Sequence, residues 1–247
     1  MGGHNRFFID SLISDNVISL VGEQALQIFR VLRMHTGDKL ILFDGSGKEY
    51  SASIYAINKK QVDCKIISSS NPNTEAKINL SIAICLPKGE KTETIIQKCT
   101  EIGASEFFLV NSHNCVTKID ETKVASKFAR YRKIAIEASE QSGRVKVPHI
   151  IGIIEIQQLL DVIKNYDISI VAWEDEKQAN FKKIIGDKSG LKSVLYIVGP
   201  EGGFTNEEIS LLKEAGAEPI SLGTRLLRTE TAAIIGSAVI IHHFEGR

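Results

Sequence analysis

From residue 78 onward the chain alternates short apolar runs with longer amphipathic segments. The apolar runs have the length of single strands and lack polar alternation, which is typical of strands covered on both faces. This alternation predicts an α/β fold, with a mostly parallel sheet and helices on both of its faces. The predicted elements are strand 78–85, helix 90–102, strand 106–110, helix 121–141, and strands 168–173 and 194–198.

Residues 7–68 show a different pattern, in which short apolar or alternating runs are joined by tight polar turns. The runs at 39–43, 49–57 and 61–67 are predicted strands, because the turns between them are typical of antiparallel connections. One helix, at about 23–32, interrupts the strands, and we expect Leu26, Phe29 and Leu32 on its inner face. The region is predicted to form a small β-barrel-like domain.

Residues 68–74, Ser-Ser-Ser-Asn-Pro-Asn-Thr, separate these two patterns. They are polar, contain a proline and lack periodicity, so they predict a linker. We therefore predict two domains, residues 1–72 and residues 73–247. A chain of 247 residues is long enough for one large domain or two ordinary ones.

The formal net charge is zero, which argues against non-specific affinity for nucleic acids. The local distribution is uneven, since residues 123–146 contain seven Lys or Arg against only Glu137 and Glu140. This basic stripe has two interpretations: a solvated helix face or a surface that contacts phosphates.

Several classes of protein are disfavoured by composition. There is no apolar stretch of 18 residues, and the first six residues lack an apolar signal core, so we expect a cytoplasmic protein with no membrane partner. Cys64, Cys85, Cys99 and Cys115 are far apart and have no neighbouring His at ligand spacing. We therefore expect reduced thiols, no disulfide framework and no metal site.

Two loops near the C-terminus share one design. The first follows the apolar run 194–198 with Gly199-Pro-Glu-Gly-Gly-Phe204, and Thr205 with Glu208 then predicts a capping box at a helix start. The second follows a short strand that ends at Leu222 and begins with Gly223. Glycines let a backbone turn tightly and approach a ligand, so two such loops side by side would form one pocket. The alternative is a pair of ordinary strand-to-helix connections.

Charge constrains what such a pocket can bind. Glycine loops at helix N-termini usually attract phosphates. Here four carboxylates crowd the two turns and would repel a phosphate, so a neutral or cationic ligand fits better. They are Glu201, Glu207, Glu208 and Glu230.

The last predicted helix, at 232–241, is apolar almost all round and rich in Ala, Gly and Ser. It must be buried on more than one side, and its small residues would allow close approach of another backbone. A subunit interface and a deeply inserted helix both explain this pattern.

The two loops together carry a specific resemblance. Gly199-Pro-Glu-Gly-Gly-Phe204, paired with Leu222-Gly-x-x-Leu-Leu-Arg-Thr-Glu-Thr-Ala232, resembles the RsmE family of SPOUT-class methyltransferases. Further matches cover essentially the whole chain. They are Glu137-Ala-x-Glu-Gln-x-x-Arg144-x-x-x-Pro148, Lys88-Gly-x-Lys91, Lys98-x-x-Glu101-x-Gly103, Arg6-Phe-Phe8 and Val31-Leu-Arg33 before Gly37-Asp38.

The resemblance implies an N-terminal PUA-like β-barrel that binds RNA and a C-terminal SPOUT α/β domain with a trefoil knot. It also implies S-adenosyl-L-methionine as methyl donor, a homodimer, and methylation of N3 of a uridine near the 3′ end of 16S ribosomal RNA, free or in the small ribosomal subunit. The knot does not follow from the residue pattern, because knotted topologies are very rare. Two departures are Gln27, where the family commonly has His, and a start that is longer by residues 1–4.

Site residues follow from the same resemblance. The donor pocket would be lined by Ala172, Trp173, Glu174, Val198, Gly199, Pro200, Gly202, Gly203, Leu222, Gly223, Leu226, Leu227, Thr231 and Ala232. RNA would be contacted by Arg6, Arg33, Lys88, Arg130, Gln141 and Arg144. With RNA as the substrate, the interpretation of the basic stripe as a phosphate-contact surface is favoured.

Uridine N3 holds its proton at neutral pH, so the reaction needs help with its removal. Arg228 is the candidate that stabilises negative charge on the uracil oxygens, and Glu230 is the candidate base. The alternative for this pair is a purely structural ion pair or a helix cap. Two rival functions are a non-enzymatic RNA-binding protein on the same frame and a SPOUT enzyme for another RNA or position.

Overall fold

The computed structural model describes residues 5–116, 121–186, 188 and 190–245. Contacts divide the chain into two compact units. The first runs to Glu75 and includes Ile136–Val147, and the second comprises Ala76–Ala135 and the chain from Pro148 onward. The division therefore differs from the predicted one by assigning a short segment of the C-terminal region, residues 136–147, to the first unit.

The first unit is built on a five-stranded sheet in the order β1-β3-β4-β5-β2. The neighbours are antiparallel except β1 and β3, and the β4–β5 hairpin follows the predicted turn. Its core is formed by apolar side chains such as Phe7, Leu20 and Val62. The strands are β1 (Arg6–Phe8), β2 (Val17–Val21), β3 (Lys39–Phe43), β4 (Glu49–Ile57) and β5 (Gln61–Ser70).

The predicted helix at 23–32 is present, but its inner face is not the predicted one. Helix α1 (Gly22–Leu26) continues into a π-helical turn, Gln27–Val31. Ala25 and Ile28 are fully buried, whereas Leu26 and Phe29 are 38% and 41% exposed. The prediction was wrong for Leu26 and Phe29, but Leu32 packs against the core as predicted. The π-helical turn at Gln27–Val31 departs from the regular helical period, so one periodic pattern does not describe both ends of this helix.

The second unit contains a six-stranded, wholly parallel sheet in the order β11-β9-β10-β6-β7-β8. The predicted parallel α/β arrangement is therefore confirmed. The strands are β6 (Asn79–Cys85), β7 (Glu106–Asn111), β8 (His149–Glu155), β9 (Ile168–Ala172), β10 (Ser193–Val198) and β11 (Ala217–Ile220). The helices are α2 (Lys91–Ile102), α3 (Glu121–Ser142), α4 (Ile156–Ile163), α5 (Phe181–Ile185), α6 (Asn206–Glu214) and α7 (Thr229–Glu245).

Helix α7 packs closely on strand β10. The Tyr196 hydroxyl donates a hydrogen bond to the Ala232 carbonyl at 3.0 Å. A Cβ atom at Gly236 would collide with the Tyr196 ring, so this position has room only for glycine. One side of α7 is thus deeply inserted, while Ile235 and Val239 remain exposed on another.

The strand order places three carboxyl ends side by side at one edge of the sheet, those of β11, β9 and β10. Loops that follow adjacent parallel strands meet at the same edge, which is where open α/β sheets bind ligands. Threading of the chain into a trefoil knot stays a prediction. None of the helices in the described ranges is long and apolar enough to cross a membrane.

Glu140, within the first unit, is a buried carboxyl group. It accepts a hydrogen bond from the Phe8 backbone N–H at 2.9 Å. Burial, assisted by the charge of Glu137 and opposed by the Phe8 hydrogen bond and Arg6, raises its pKa to about 7. Because the folded state then binds the proton more tightly than the unfolded chain, this group makes folding less favourable as pH rises from the ordinary value of 4.5 to about 7.

Glu140→Gln is therefore expected to increase the free energy of unfolding at pH 8 relative to the unchanged protein, with a smaller gain at pH 5. An amide oxygen can still accept the Phe8 hydrogen bond but never ionises. Denaturant titrations at both pH values measure the difference, and the exposed Glu214→Gln serves as control. Equal increases in the free energy of unfolding at pH 5 and pH 8 would contradict a raised pKa of Glu140.

Candidate functional site

A cavity of about 990 Å³ lies at the carboxyl ends of β9, β10 and β11. Backbone hydrogen bonds hold its walls together. Trp173 N–H donates to the Ile220 carbonyl at 3.0 Å, and Ser221 N–H donates to the Ala179 carbonyl at 2.8 Å. The loops after three separate strands therefore enclose one space, and the two glycine loops are neighbours as expected.

Most residues predicted for the donor pocket line this cavity. The structure brings together Ala172, Trp173, Glu174, Val198, Gly199, Pro200, Gly203, Leu222, Gly223, Leu226, Leu227 and Ala232. Gly202, in the first glycine loop, and Thr231, in the first turn of α7, are exposed but are not part of the lining. Arg228 does line the cavity, and its side chain is exposed.

Sequence reasoning missed a further group of lining residues. Several belong to the loop after β9, which contains no glycine to mark it. The additional residues are Lys91, Asp175, Lys177, Gln178, Ala179, Asn180, Ser221 and Thr229. Asn180 had a local signal, since its side chain caps α5 by accepting a hydrogen bond from Lys183 N–H.

The first glycine loop approaches its surroundings closely. Gly203 has φ +67°, and a Cβ atom there would collide with the Glu174 carboxyl group. At Gly199 a Cβ atom would lie 3.0 Å from the Phe204 ring. Gly203 is therefore required by its backbone conformation, and Gly199 leaves little room for a side chain. At these two positions the loop offers backbone groups to the cavity.

The loop is fixed from outside by Asn114, another residue that the sequence did not reveal. The Asn114 amide donates to the carbonyls of Gly202, at 3.1 Å, and Gly203, at 3.0 Å. The neighbouring His113 backbone N–H donates to Glu208 at 2.8 Å. The β7–α3 segment therefore holds both the glycine loop and the start of α6.

Sulfur contacts shape the same segment. Ser112 and Cys115 are joined by an Oγ–Sγ contact of 3.2 Å, and the Cys115 N–H donates to the Ser112 carbonyl at 3.0 Å. Hydrogen bonding with Cys85 and Ser112 outweighs burial and lowers the pKa of Cys115 to about 6. Cys64, Cys85, Cys99 and Cys115 are all free and buried. No three His, Cys, Asp or Glu side chains within the described ranges are arranged to hold a metal ion.

The carboxylates of the two loops do not have the role that the sequence suggested. Glu208 is buried and completes the predicted capping box with Thr205, and Glu201 forms an ion pair with Lys91. The acidic lining comes mainly from Glu174 and Asp175, after β9. The cavity also exposes cations to its ligand, namely Lys91, Lys177, Arg225 and Arg228. The prediction of a neutral or cationic ligand considered only the carboxylates of the glycine loops, and these cations were not part of it.

Lys91 lies between two glutamates. Its Nζ is 2.6 Å from Glu201 Oε1 and 3.9 Å from Glu230 Oε2. Burial alone would raise the pKa of Glu201, but hydrogen bonds from Lys91 and from the Lys88 backbone N–H lower it overall. The structural alternative for Arg228 and Glu230 was an ion pair between them. Among the described residues, the cation paired with Glu230 is Lys91 instead.

Two of the six predicted RNA-contact residues are committed to internal interactions. Arg144 is 4% exposed and forms an ion pair with Glu75 at 2.7 Å. Arg6 forms an ion pair with Glu49 at 2.7 Å and donates to the carbonyls of Gly143 and Arg144. Both guanidinium groups stabilise the first unit, so the structure does not present them to RNA as the sequence suggested.

The other four predicted RNA-contact residues are exposed. They are Arg33, Lys88, Arg130 and Gln141. Arg130 is paired with Glu93 at 2.6 Å, and Arg33 has φ 52°, an unusual conformation for a residue with a side chain. Leu226 is 85% exposed at the rim of the cavity.

Residues 74–241 match the RNA methyltransferase domain family, and residues 22–67 match the RNA methyltransferase PUA domain. These two matches give the class of the protein, an RNA methyltransferase with a PUA domain. The chain is 37% identical over 248 residues to ribosomal RNA small subunit methyltransferase E of Bacillus subtilis (strain 168), covering 97% of each. It is 33% identical over 241 residues to the protein of the same name from Rickettsia conorii, covering 96% of this chain and 95% of the relative. The chain belongs to the ribosomal RNA small subunit methyltransferase E family.

Solved structures agree with this relationship. A methyltransferase from Legionella pneumophila in complex with the cofactor SAM superimposes with TM-score 0.88 at 33% identity over 96% of both chains. The small subunit methyltransferase E from Neisseria gonorrhoeae, bound to S-adenosyl methionine, superimposes with TM-score 0.86 at 28% identity and the same coverage. The family predicted from the two loop motifs is therefore confirmed.

Asn114→Ala is expected to loosen the glycine loop, because two carbonyl groups lose their side-chain donor. Amide hydrogen exchange of the Gly203–Phe204 segment should become faster, by about tenfold for the loss of roughly 1.4 kcal/mol of local stability. Asn111→Ala is the matched control, since Asn111 donates to Glu155 at 3.0 Å instead. An unchanged exchange rate in Asn114→Ala would show that the glycine loop keeps its conformation without the Asn114 hydrogen bonds.

Proposed function

We propose that the protein transfers a methyl group from S-adenosylmethionine to N3 of a uridine near the 3′ end of 16S ribosomal RNA. One observation supports this proposal above the others: both family motifs meet in a single cavity at the carboxyl edge of the parallel sheet. The names of the relatives give the ribosomal small subunit as target. The N3 position follows from the sequence resemblance.

The cavity suits S-adenosylmethionine in size and chemistry. Its volume of about 990 Å³ is at the upper end of small-molecule sites. Gly199 and Gly203 bring backbone groups close to the space, where they can bind an adenosine and an amino acid moiety. Glu174 and Asp175 add negative charge that favours a sulfonium cation. When bound, this donor supplies an electrophilic methyl carbon.

The acceptor needs to lose a proton. Glu230 takes the N3 proton, and the N3 lone pair forms the new bond to the methyl carbon while the C–S bonding pair stays on sulfur. The cationic Arg228 donates hydrogen bonds to a uracil carbonyl oxygen, where the negative charge of the deprotonated base accumulates. The proton on Glu230 then leaves to solvent. Holding both reactants in line is the main contribution of the remaining loop residues.

Exposed polar residues are available for the RNA backbone. Arg33, Lys88, Arg130 and Gln141 are all accessible, and Arg and Lys contacts to phosphates position a nucleic acid without reading its sequence. We assign the reaction to the cytoplasm, where ribosomal subunits assemble.

The function is tested directly by incubating the purified protein with S-adenosylmethionine and either naked 16S RNA or isolated small subunits. Mass mapping of the digested RNA is expected to show one N3-methyluridine near the 3′ end. Methylation elsewhere would support a different RNA target. No calorimetric binding of S-adenosylmethionine at millimolar concentration would support the non-enzymatic alternative.

Arg228→Ala is expected to lower kcat about tenfold or more, because the developing charge on uracil loses its cation. The kcat of Arg228→Lys should fall less, since lysine keeps the positive charge and loses only the paired donors of the guanidinium group. The measurements are single-turnover methylation, donor affinity and the unfolding midpoint, the last two of which should stay near those of the unchanged protein. An unchanged kcat in Arg228→Ala would remove this residue from catalysis.

A homodimer is part of the proposal. Ile235 and Val239 are exposed in the apolar stretch 232–241 of α7, and a second copy of the chain would cover them. Val239→Glu is expected to convert a dimer into a monomer, because it places a charge in the interface. Light scattering after size-exclusion chromatography measures the mass. Val17→Glu, at an exposed apolar position of β2, is the matched control, and a dimer that survives Val239→Glu would exclude this face.

A further inference from the structure

Two unusual backbone conformations follow one another in residues 26–33 of the first unit. Helix α1 continues into a π-helical turn, in which the Leu32 N–H donates to the Gln27 carbonyl at 2.9 Å. Arg33, just after this turn, has φ 52°. π-Helical turns are rare in proteins but recur at functional sites, and a left-handed backbone is unfavourable for a residue with a side chain. The mechanism above explains neither conformation.

Arg33 is exposed between two residues that face the core. Leu32 and Met34, on either side of it, both pack against the apolar core of the first unit. The loop that follows is fixed to strand β4, because the Gly37 N–H donates to the Ile54 carbonyl at 2.7 Å. Glycine would adopt the φ of Arg33 without strain. An arginine at such a position indicates that its side chain is used, since strained backbone residues cluster at functional sites.

The outer side of the same helix is apolar and basic. Ala25 and Ile28 are fully buried, and the residues that follow each of them, Leu26 and Phe29, are 38% and 41% exposed. Residues three or four apart on a helix are neighbours, so the exposed Arg30 lies beside Leu26, and Arg33 follows one turn after Phe29. We call this surface the aromatic–basic face. It consists of Leu26, Phe29, Arg30 and Arg33.

The cations of the aromatic–basic face are not used elsewhere in the first unit. Neither Arg30 nor Arg33 forms an ion pair with a residue in the described ranges. Lys59 and Lys60 are exposed in the turn between β4 and β5, and this turn lies beside the start of the helix because β5 pairs with the end of β2. These four cations outnumber the one carboxylate of residues 22–33, Glu23. A polyanion would neutralise them.

We propose that the aromatic–basic face binds an unpaired nucleotide of the RNA substrate, with its base stacked on Phe29 and the flanking phosphates bound by Arg30 and Arg33. This inference rests on the proposed function. Unpaired bases stack on aromatic rings, and arginines bind the phosphates beside them. The face lies within residues 22–67, which match the RNA methyltransferase PUA domain.

The chemistry of the reaction requires unpaired RNA. N3 of uridine carries the hydrogen that pairs with adenine, so a uridine held in a duplex cannot be methylated there. Sequence-specific RNA recognition also targets single-stranded segments, whose bases are free to stack on side chains. A duplex offers no free base face to Phe29. A duplex form of the same sequence is therefore expected to bind this face less tightly.

A second copy of the chain is the rival occupant. Two molecules joined through this face by a two-fold axis would bring the arginines of both copies close together. That arrangement would be repulsive unless carboxylates met the arginines, and none of the four side chains of the face is a carboxylate. An RNA backbone supplies the negative charge, so RNA is the favoured occupant.

The test is the binding of the full chain to a fluorescein-labelled, single-stranded RNA with the sequence around the target uridine, measured by anisotropy at several salt concentrations. Phe29→Ala is expected to raise Kd about tenfold at every salt concentration, because base stacking is lost while the phosphate contacts remain. Arg30→Ala and Arg33→Ala should each reduce the slope of log Kd against log salt concentration by about 0.7, the value for one phosphate contact on a single strand.

Matched variants separate these roles from effects on folding. Tyr55→Ala removes another exposed aromatic ring of the first unit and Lys65→Ala another exposed cation, and both should bind the RNA as the unchanged protein does. Phe29→Leu keeps an apolar side chain without a ring and should lose most of the stacking. Arg33→Gly should unfold at a higher denaturant midpoint than Arg33→Ala, because glycine relieves the backbone, yet both should weaken RNA binding equally.

The inference and the proposed function fail separately. If the unchanged protein forms no N3-methyluridine, the proposed function is wrong. If it does, and Phe29→Ala and Phe29→Leu bind the RNA as the unchanged protein does, only the role of the aromatic–basic face is wrong. A dimer that becomes a monomer in light scattering of Phe29→Ala would show that a second copy covers this face, and would also overturn the inference.

Discussion

The close approach of helix α7 to strand β10 is the contact on which the site depends. Tyr196 fills the space that a side chain at position 236 would occupy, and its hydroxyl binds the Ala232 carbonyl. Because Ala232 lies one turn after Arg228, this contact fixes where the helix begins relative to the sheet. The first turn then places Glu230 beside Lys91. The packing of Tyr196 against α7 thus sets the position of Glu230 relative to Lys91.

Local signals predicted much of the fold. Continuous apolar runs marked β6, β7, β9 and β10 correctly, because burial on both faces leaves no room for alternation. The Thr205–Glu208 capping box was predicted from its three-residue spacing, and the structure contains both of its hydrogen bonds. Leu26 and Phe29 were predicted wrongly on the inner face of the first helix, because a periodic pattern shows how often a face recurs but not at which residue it begins. Ala25 and Ile28 are the residues buried there.

The lining residues that belong to a motif were predicted from the sequence. Residues that contact the motif from a distant part of the chain were missed. Asn114 is about ninety residues from the glycines it holds, and no local pattern connects them. The acidity of the loops was misjudged for the same reason, since a sequence shows Glu201 but not its partner Lys91. Arg6 and Arg144 were assigned to RNA because they belong to the family motifs, and a motif does not show which side chains form internal ion pairs. Their carboxylate partners, Glu49 and Glu75, lie far from them in sequence.

The exposed side chain of Leu226 gives the rim of the cavity an apolar surface that is unfavourably hydrated. The side chain is 85% exposed in a loop whose backbone is otherwise engaged around the pocket. Covering a leucine releases up to about 2 kcal/mol, which corresponds to roughly a thirtyfold change in a dissociation constant. Whatever molecule closes over this rim gains that affinity without a single polar contact. Release of water from Leu226 therefore favours binding of any molecule that covers it. Discrimination between ligands depends on the charged side chains that line the cavity.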